Sequence, residues 1–95
     1  MNRFTLSRLA EEDLIQIYLD GAQSFGQKQA GLYHQLLSQA FHFLADNPLA
    51  GPLRTELTPV VRIHPVGTHI VLYTVRQHDI LILRIRHAHE DWLEH

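Results

Sequence analysis

Cysteine is absent from this chain, which excludes a disulfide framework and a thiolate metal site and fits a reducing compartment. Lysine occurs once, at Lys28, and the eight Lys and Arg residues stand against ten Asp and Glu, for a net charge of −2 and a pI near 6.4. A surface built throughout to hold nucleic acid needs a dense cationic field, so that class is excluded and only a local basic patch remains open. No apolar run approaches the length of a membrane span, and none follows the opening charge at Arg3 as an export leader requires. The expectation is a cytoplasmic protein with no membrane partner. Proline is scarce too: all four prolines lie between Pro48 and Pro65, so the breaks they impose fall in one stretch, and no linker, repeat or low-complexity segment is visible. At 95 residues the chain forms one domain with one modest core. Leu93-Glu94-His95 matches the opening of a common affinity-tag linker, so the domain is read as residues 1–92.

What is present is strongly patterned. Arg3 to Leu6 alternates as a short strand. Ser7 offers a hydroxyl to cap the helix that follows, and Glu11, Glu12 and Asp13 sit where the helix dipole favours negative charge. Leu14, Ile17, Tyr18, Gly21 and Phe25 recur at helical spacing, and Gly26 is a terminator, which predicts a first helix over 8–25. A second stripe, Ala30, Tyr33, Leu36, Leu37, Ala40 and Leu44, stops at Asn47-Pro48, because the residue before proline resists helical geometry. The two form a helical hairpin turning at Gly26. Residues 49–59 cross irregularly, with Arg54-Thr55-Glu56-Leu57 as a brief turn or extended piece.

Three strands complete the pattern: Val60 to His64, then, after a turn at Pro65-Val66-Gly67-Thr68, His69 to Arg76 and Ile80 to His87. The expected fold is α+β, with an N-terminal strand, an α-helical hairpin and a three-stranded antiparallel meander, the helices packed on one face of the sheet. Strict alternation in the last strand puts Leu81, Leu83 and Ile85 on a core face, and Ile80, Ile82, Arg84 and Arg86 on the other. Two adjacent cationic forks are a poor way to build a dry core and a good way to build a recognition edge.

The order of these elements and several local motifs resemble the RelE/ParE superfamily, the toxin halves of bacterial type II toxin–antitoxin systems. The resemblance is carried by Ala10-Glu11-Glu12-Asp13-Leu14, by Gln29-Ala30 and Tyr33, and by Phe43-Leu44-Ala45-Asp46-Asn47-Pro48 with Gly51. It continues through Arg54-Thr55-Glu56-Leu57, His69-Ile70-Val71-Leu72-Tyr73 and Ile82-Leu83-Arg84-Ile85-Arg86-His87. It covers nearly the whole chain and looks more like the ParE branch. It implies a toxin that binds and poisons DNA gyrase, without sequence-specific DNA binding of its own, and a cognate antitoxin with an acidic amphipathic tail, joined to it in a hetero-oligomer. The RelE branch implies instead a ribosome-dependent mRNA endonuclease, and a third reading is a non-toxic antitoxin-binding module.

Cleaving RNA through its own 2′-hydroxyl needs a base, cations for the phosphorane and an acid for the leaving oxygen. RelE-like toxins resemble one another in drawing these from lysines or a Glu, an Arg on the next strand and a tail Tyr. Here Lys28 lies far away in sequence, the Arg position looks like Ile70, and no tyrosine follows His89. Arg62, Arg84, Arg86, His87 and His89, with Glu56 as base, remain the nuclease alternative. Strand-end arginines more often meet solvent or a partner's carboxylates, so the reading assigns Arg62, Arg84, Arg86, His87, His89 and Trp92 to target or antitoxin binding, and no residue to catalysis. His64, His69, His87 and His89 lack a compact ligand motif, so no metal and no cofactor is assigned. Tyr73 is read as a core or rim aromatic, Tyr18 and Tyr33 as packing, and Trp92 equally as a partner anchor or a cover for the sheet's end.

Overall fold

In a computed structural model, which describes residues 3–89, the chain runs through β1 (Phe4–Leu6), α1 (Arg8–Phe25), α2 (Gln27–Asp46), β2 (Leu53–Arg54), β3 (Val61–Val66), β4 (His69–Val75) and β5 (Ile80–His87). The sheet order is β1-β5-β4-β3-β2. β1 lies parallel to β5, and every other pairing is antiparallel. The α+β architecture is as expected, with one strand more: the Arg54 segment joins the β3 edge as a two-residue strand. Trp92, with residues 90–95, lies outside the described residues. No helix among the described residues is long and apolar enough to cross a membrane.

Both helix boundaries follow the sequence signals. Ser7 Oγ accepts the Ala10 N–H at 3.0 Å, satisfying one of the orphan donors at the α1 start. Gly26, at φ 92°, ends α1 and opens α2, a backbone conformation that a Cβ disfavours. One residue thus turns the hairpin. α2 stops at Asp46, two residues before Pro48.

The main core lies between the helices and the sheet. Leu37, Phe41 and Leu44 of α2 meet Val71 and Tyr73 of β4 and Ile80, Ile82 and Ile85 of β5. Two expectations about the stripes are corrected here. Phe25 is 76 % exposed and Leu36 is 43 % exposed, while Phe41, outside the expected stripe, is buried. α1 buries only Ala10 completely, and the residues of its final turn, Gln23 to Phe25, are exposed.

The larger correction concerns β5. Tyr73 pairs with Ile82 but Leu72 pairs with Arg84, so Leu83 is an extra residue in the ladder. This β-bulge resets the alternation, because two residues of one strand now oppose one of the other. Ile80 and Ile82 face the helices before it, and Ile85 faces them after it. Leu83 falls on the opposite face, against the small cluster of Val61, Ile63 and Ile70. The expected core set of Leu81, Leu83 and Ile85 is therefore replaced by Ile80, Ile82 and Ile85.

Candidate functional site

Past the bulge, the outer edge of β5 is met by the start of α1. β1 ends at Leu6 opposite Ile82, so the β5 edge beyond is bare of strand. Ser7 Oγ donates to the Leu83 carbonyl at 2.7 Å. Asp13 Oδ2 accepts the Ile85 N–H at 3.0 Å and Arg84 Nε at 2.8 Å, while its Oδ1 accepts Arg84 Nη2 at 3.0 Å. This is the fork-to-fork geometry that makes Arg–carboxylate pairs strong and directional. Asp13, expected only to complement the helix dipole, thus locks α1 to the bulge.

Of the residues assigned from sequence to partner binding, Arg62 and Arg84 are drawn away by other contacts, while Arg86, His87 and His89 stay together at the end of β5. Arg84 is turned along the sheet edge to Asp13. Arg86 pairs with Ile70 in register, and Ile70 belongs to the cluster on the face away from the helices. Arg62 lies two strands from β5, roughly 10 Å away, where its Nη1 donates to the Gly51 carbonyl at 2.8 Å. It shares that task with Tyr73, whose hydroxyl accepts the Gly51 N–H at 2.9 Å and donates to the Pro48 carbonyl at 2.8 Å. Burial pushes the Tyr73 phenol above its ordinary pKa, so it stays a neutral donor. Together these two side chains pin the loop that leaves α2. Glu56, at the far edge of the sheet, is hydrogen-bonded by Arg54 Nε at 2.7 Å, and a backbone hydrogen bond, with Arg54, holds its pKa below the usual carboxylate value. His64 packs on Phe43, ring centroids 5.6 Å apart, and burial lowers its pKa.

The histidines at the end of the β4–β5 hairpin do come together. His69 and His87 are partners in register, with ring centroids 5.2 Å apart, and the His89 ring stands 5.5 Å from His87. Tyr33 reaches in from α2, its hydroxyl 2.6 Å from His69 Nδ1. Gly67 makes this approach possible: at φ 57° it turns β3 into β4, and a Cβ on it would lie 2.7 Å from the Tyr33 hydroxyl. The β3–β4 turn is accordingly tighter than expected, since Pro65 and Val66 belong to β3. Among the described residues no group of three or more His, Asp or Glu is placed to hold a metal ion.

Tyr33, His69 and Asp13 were not singled out as site residues in the sequence. Counting back from the Val75–Ile80 pair without a bulge sets His69 opposite Arg86, and only the extra residue at Leu83 moves it to His87. The helical partner of this cluster has no signal in either strand.

A five-stranded sheet with a helical hairpin on one face, a bulged last strand locked to the first helix and a polar cluster at its end define a small α+β domain. The model of the ParE toxin of type II toxin–antitoxin systems matches residues 4–92, and the chain belongs to that family. It is 32 % identical to toxin ParE3 of Caulobacter vibrioides over 85 residues, which cover 90 % of this chain and 85 % of that one. Toxin ParE1 of the same organism is 31 % identical over 87 residues, covering 92 % and 90 %. A solved structure of the chromosomal ParDE toxin–antitoxin system from P. aeruginosa superposes with a TM-score of 0.77 at 26 % identity, covering 92 % of this chain and 96 % of that one.

Proposed function

We propose that this chain is a growth-inhibiting toxin that acts in the cytoplasm by binding DNA gyrase, and that a cognate antitoxin neutralises it by folding onto it. Membership of the ParE toxin family supports the toxin and antitoxin halves of this reading. The observation that carries binding over RNA cleavage is the dispersal of charged groups. Among the described residues, Arg84 is held by Asp13, Arg62 by the Gly51 carbonyl, and Glu56 by Arg54 at the opposite edge, while Lys28 lies in the first turn of α2. General acid–base cleavage needs its base, cation and acid within hydrogen-bond reach of one phosphate. Recognition by a strand end needs no such convergence.

Arg86, His87, His89 and Trp92 are the residues this reading places at the target or antitoxin. The two interfaces are separate sets of contacts on one fold.

The test is induced expression without antitoxin, with the DNA-damage response and bulk translation followed separately. A gyrase poison raises the damage response first. An early arrest of translation with cleavage of mRNA in the ribosomal A site points to the endonuclease instead, and a folded chain that arrests neither is an antitoxin-binding module.

A further inference from the structure

Tyr33 stands in the second turn of α2, and its ring packs against the main core. A phenylalanine would pack as well, so the hydroxyl needs a separate account. It accepts the Thr68 N–H at 3.1 Å and lies 2.6 Å from His69 Nδ1, with the Val66 carbonyl at 3.3 Å and Thr68 Oγ1 at 3.4 Å. All of these contacts belong to one place, the turn from β3 into β4. The contact with His69 holds whichever group gives the proton, because a hydroxyl and an imidazole nitrogen can each donate or accept.

Two routes lead from this hydroxyl to the end of β5. One runs through rings: His69 is the register partner of His87, their centroids are 5.2 Å apart, and the His89 ring lies 5.5 Å from His87. The other runs through backbone: Thr68, whose N–H the hydroxyl accepts, itself accepts the Ala88 N–H on its carbonyl at 2.9 Å. Ala88 joins His87 to His89, and both histidines are exposed. β1 ends opposite Ile82, so among the described residues β4 is the one strand beside this end of β5. Exposed side chains that are already ordered lose less freedom when a partner binds them.

We infer that Tyr33 is a positioning residue for the recognition edge: its hydroxyl fixes the β3–β4 turn and the His69 ring, and through them sets the placement of His87 and His89. The inference rests on the reading above that places these two histidines at a partner.

The experiment begins with His87→Ala/His89→Ala, which shows what the edge serves, by growth inhibition at equal protein level in cells without antitoxin and by calorimetry with the full-length antitoxin encoded beside this chain. Tyr33→Phe is then measured for the same property, for its melting curve and for the NMR resonances of the His87 ring. Ile80→Val, a small core loss at the opposite end of β5, calibrates the effect of stability alone. The expected result for Tyr33→Phe is a cooperative melt, displaced His87 ring resonances and a weakening of the property the histidines serve, about 10-fold where that is antitoxin affinity, with no weakening in Ile80→Val. Tyr33→Phe and His87→Ala should also combine to less than the product of their separate effects, since one acts through the other. His69→Phe keeps a flat ring beside His87 but offers the hydroxyl no nitrogen, and it carries the same test if Tyr33→Phe fails to fold. A folded Tyr33→Phe chain with unmoved His87 resonances or undiminished function overturns this inference, and a loss in His87→Ala/His89→Ala then spares the recognition reading. A folded His87→Ala/His89→Ala chain with both properties intact overturns the two together.

Discussion

Asp13 holds Arg84 through both carboxylate oxygens, at 2.8 and 3.0 Å, and with the same Oδ2 accepts the Ile85 N–H on the β5 edge beyond the end of β1. An acid in the second turn of α1 and a base near the end of β5 therefore fix the helix to the strand at the point where the strand changes face.

Removing Asp13 should accordingly cost stability. Asp13→Ala deletes a half-buried forked ion pair and strips the Ile85 N–H of its acceptor, an expected loss of about 1.5–3 kcal/mol by the usual worth of hydrogen bonds to charged groups. Urea denaturation measures it. Arg84→Ala should cost a similar amount, and the double mutant should cost less than the two singles added, since both remove one interaction. Simple additivity would show that the pair does not brace the fold.

Arg86 should behave differently from Arg84. It lies on the sheet face away from the helices, and its loss removes no contact of the main core. Arg86→Ala is expected to keep a cooperative melt, because the main core is untouched, and to lose growth inhibition in cells without antitoxin. Full toxicity in a folded Arg86→Ala variant would place the active surface elsewhere.

The bulge makes a paired prediction about neighbours in sequence. Ile82 is fully buried against the helices, so Ile82→Ala should cost about 2–5 kcal/mol through lost transfer energy and a cavity. Leu83 is half-buried in the minor cluster on the other face, so Leu83→Ala should cost clearly less. Equal losses, or the reverse order, would mean that β5 alternates without the extra residue.

Tyr73→Phe tests the clamp on the loop after α2. The hydroxyl serves the Gly51 N–H and the Pro48 carbonyl at once, and its removal leaves buried backbone groups unsatisfied, at about 1–3 kcal/mol. Gly51→Ala attacks the same contact from the other side, since its Cβ would stand 2.8 Å from both the Tyr73 hydroxyl and the Ile63 carbonyl. It should be at least as damaging, because backbone and a packed ring both have to shift.

The β4–β5 turn gives a pH dependence. Hydrogen bonds from Arg76, and then from Thr5, lower the Asp79 pKa to about 2. A carboxylate whose folded pKa is depressed contributes stability above its unfolded value, and that contribution is lost as pH falls through the folded one. The unmodified chain should therefore melt higher than Asp79→Asn at neutral pH. The gap should hold down to about pH 4 and close by about pH 2, given the ordinary Asp pKa of about 3.9. Melting curves of both proteins across that range decide it, and a gap that stays constant to pH 2 would show that Asp79 acts through packing alone.

The sequence by itself determined the helices, their limits and the order of elements, because these rest on local physics. The Ser7 cap, the conformational freedom of Gly26 and the constraint of Pro48 each act within a few residues. It also marked the β4–β5 hairpin as the place where polar groups collect. Only the tertiary structure decided which residues of β5 face the helices, since the extra residue at Leu83 is stabilised by Ser7 and Asp13, over seventy positions away, and leaves no break in the apolar run. The same shift set His69 beside His87, brought Tyr33 to them across the hairpin, and gave Arg84 to Asp13. A strand's pattern states two faces; which one is buried past a bulge is settled by the element that meets the strand's outer edge.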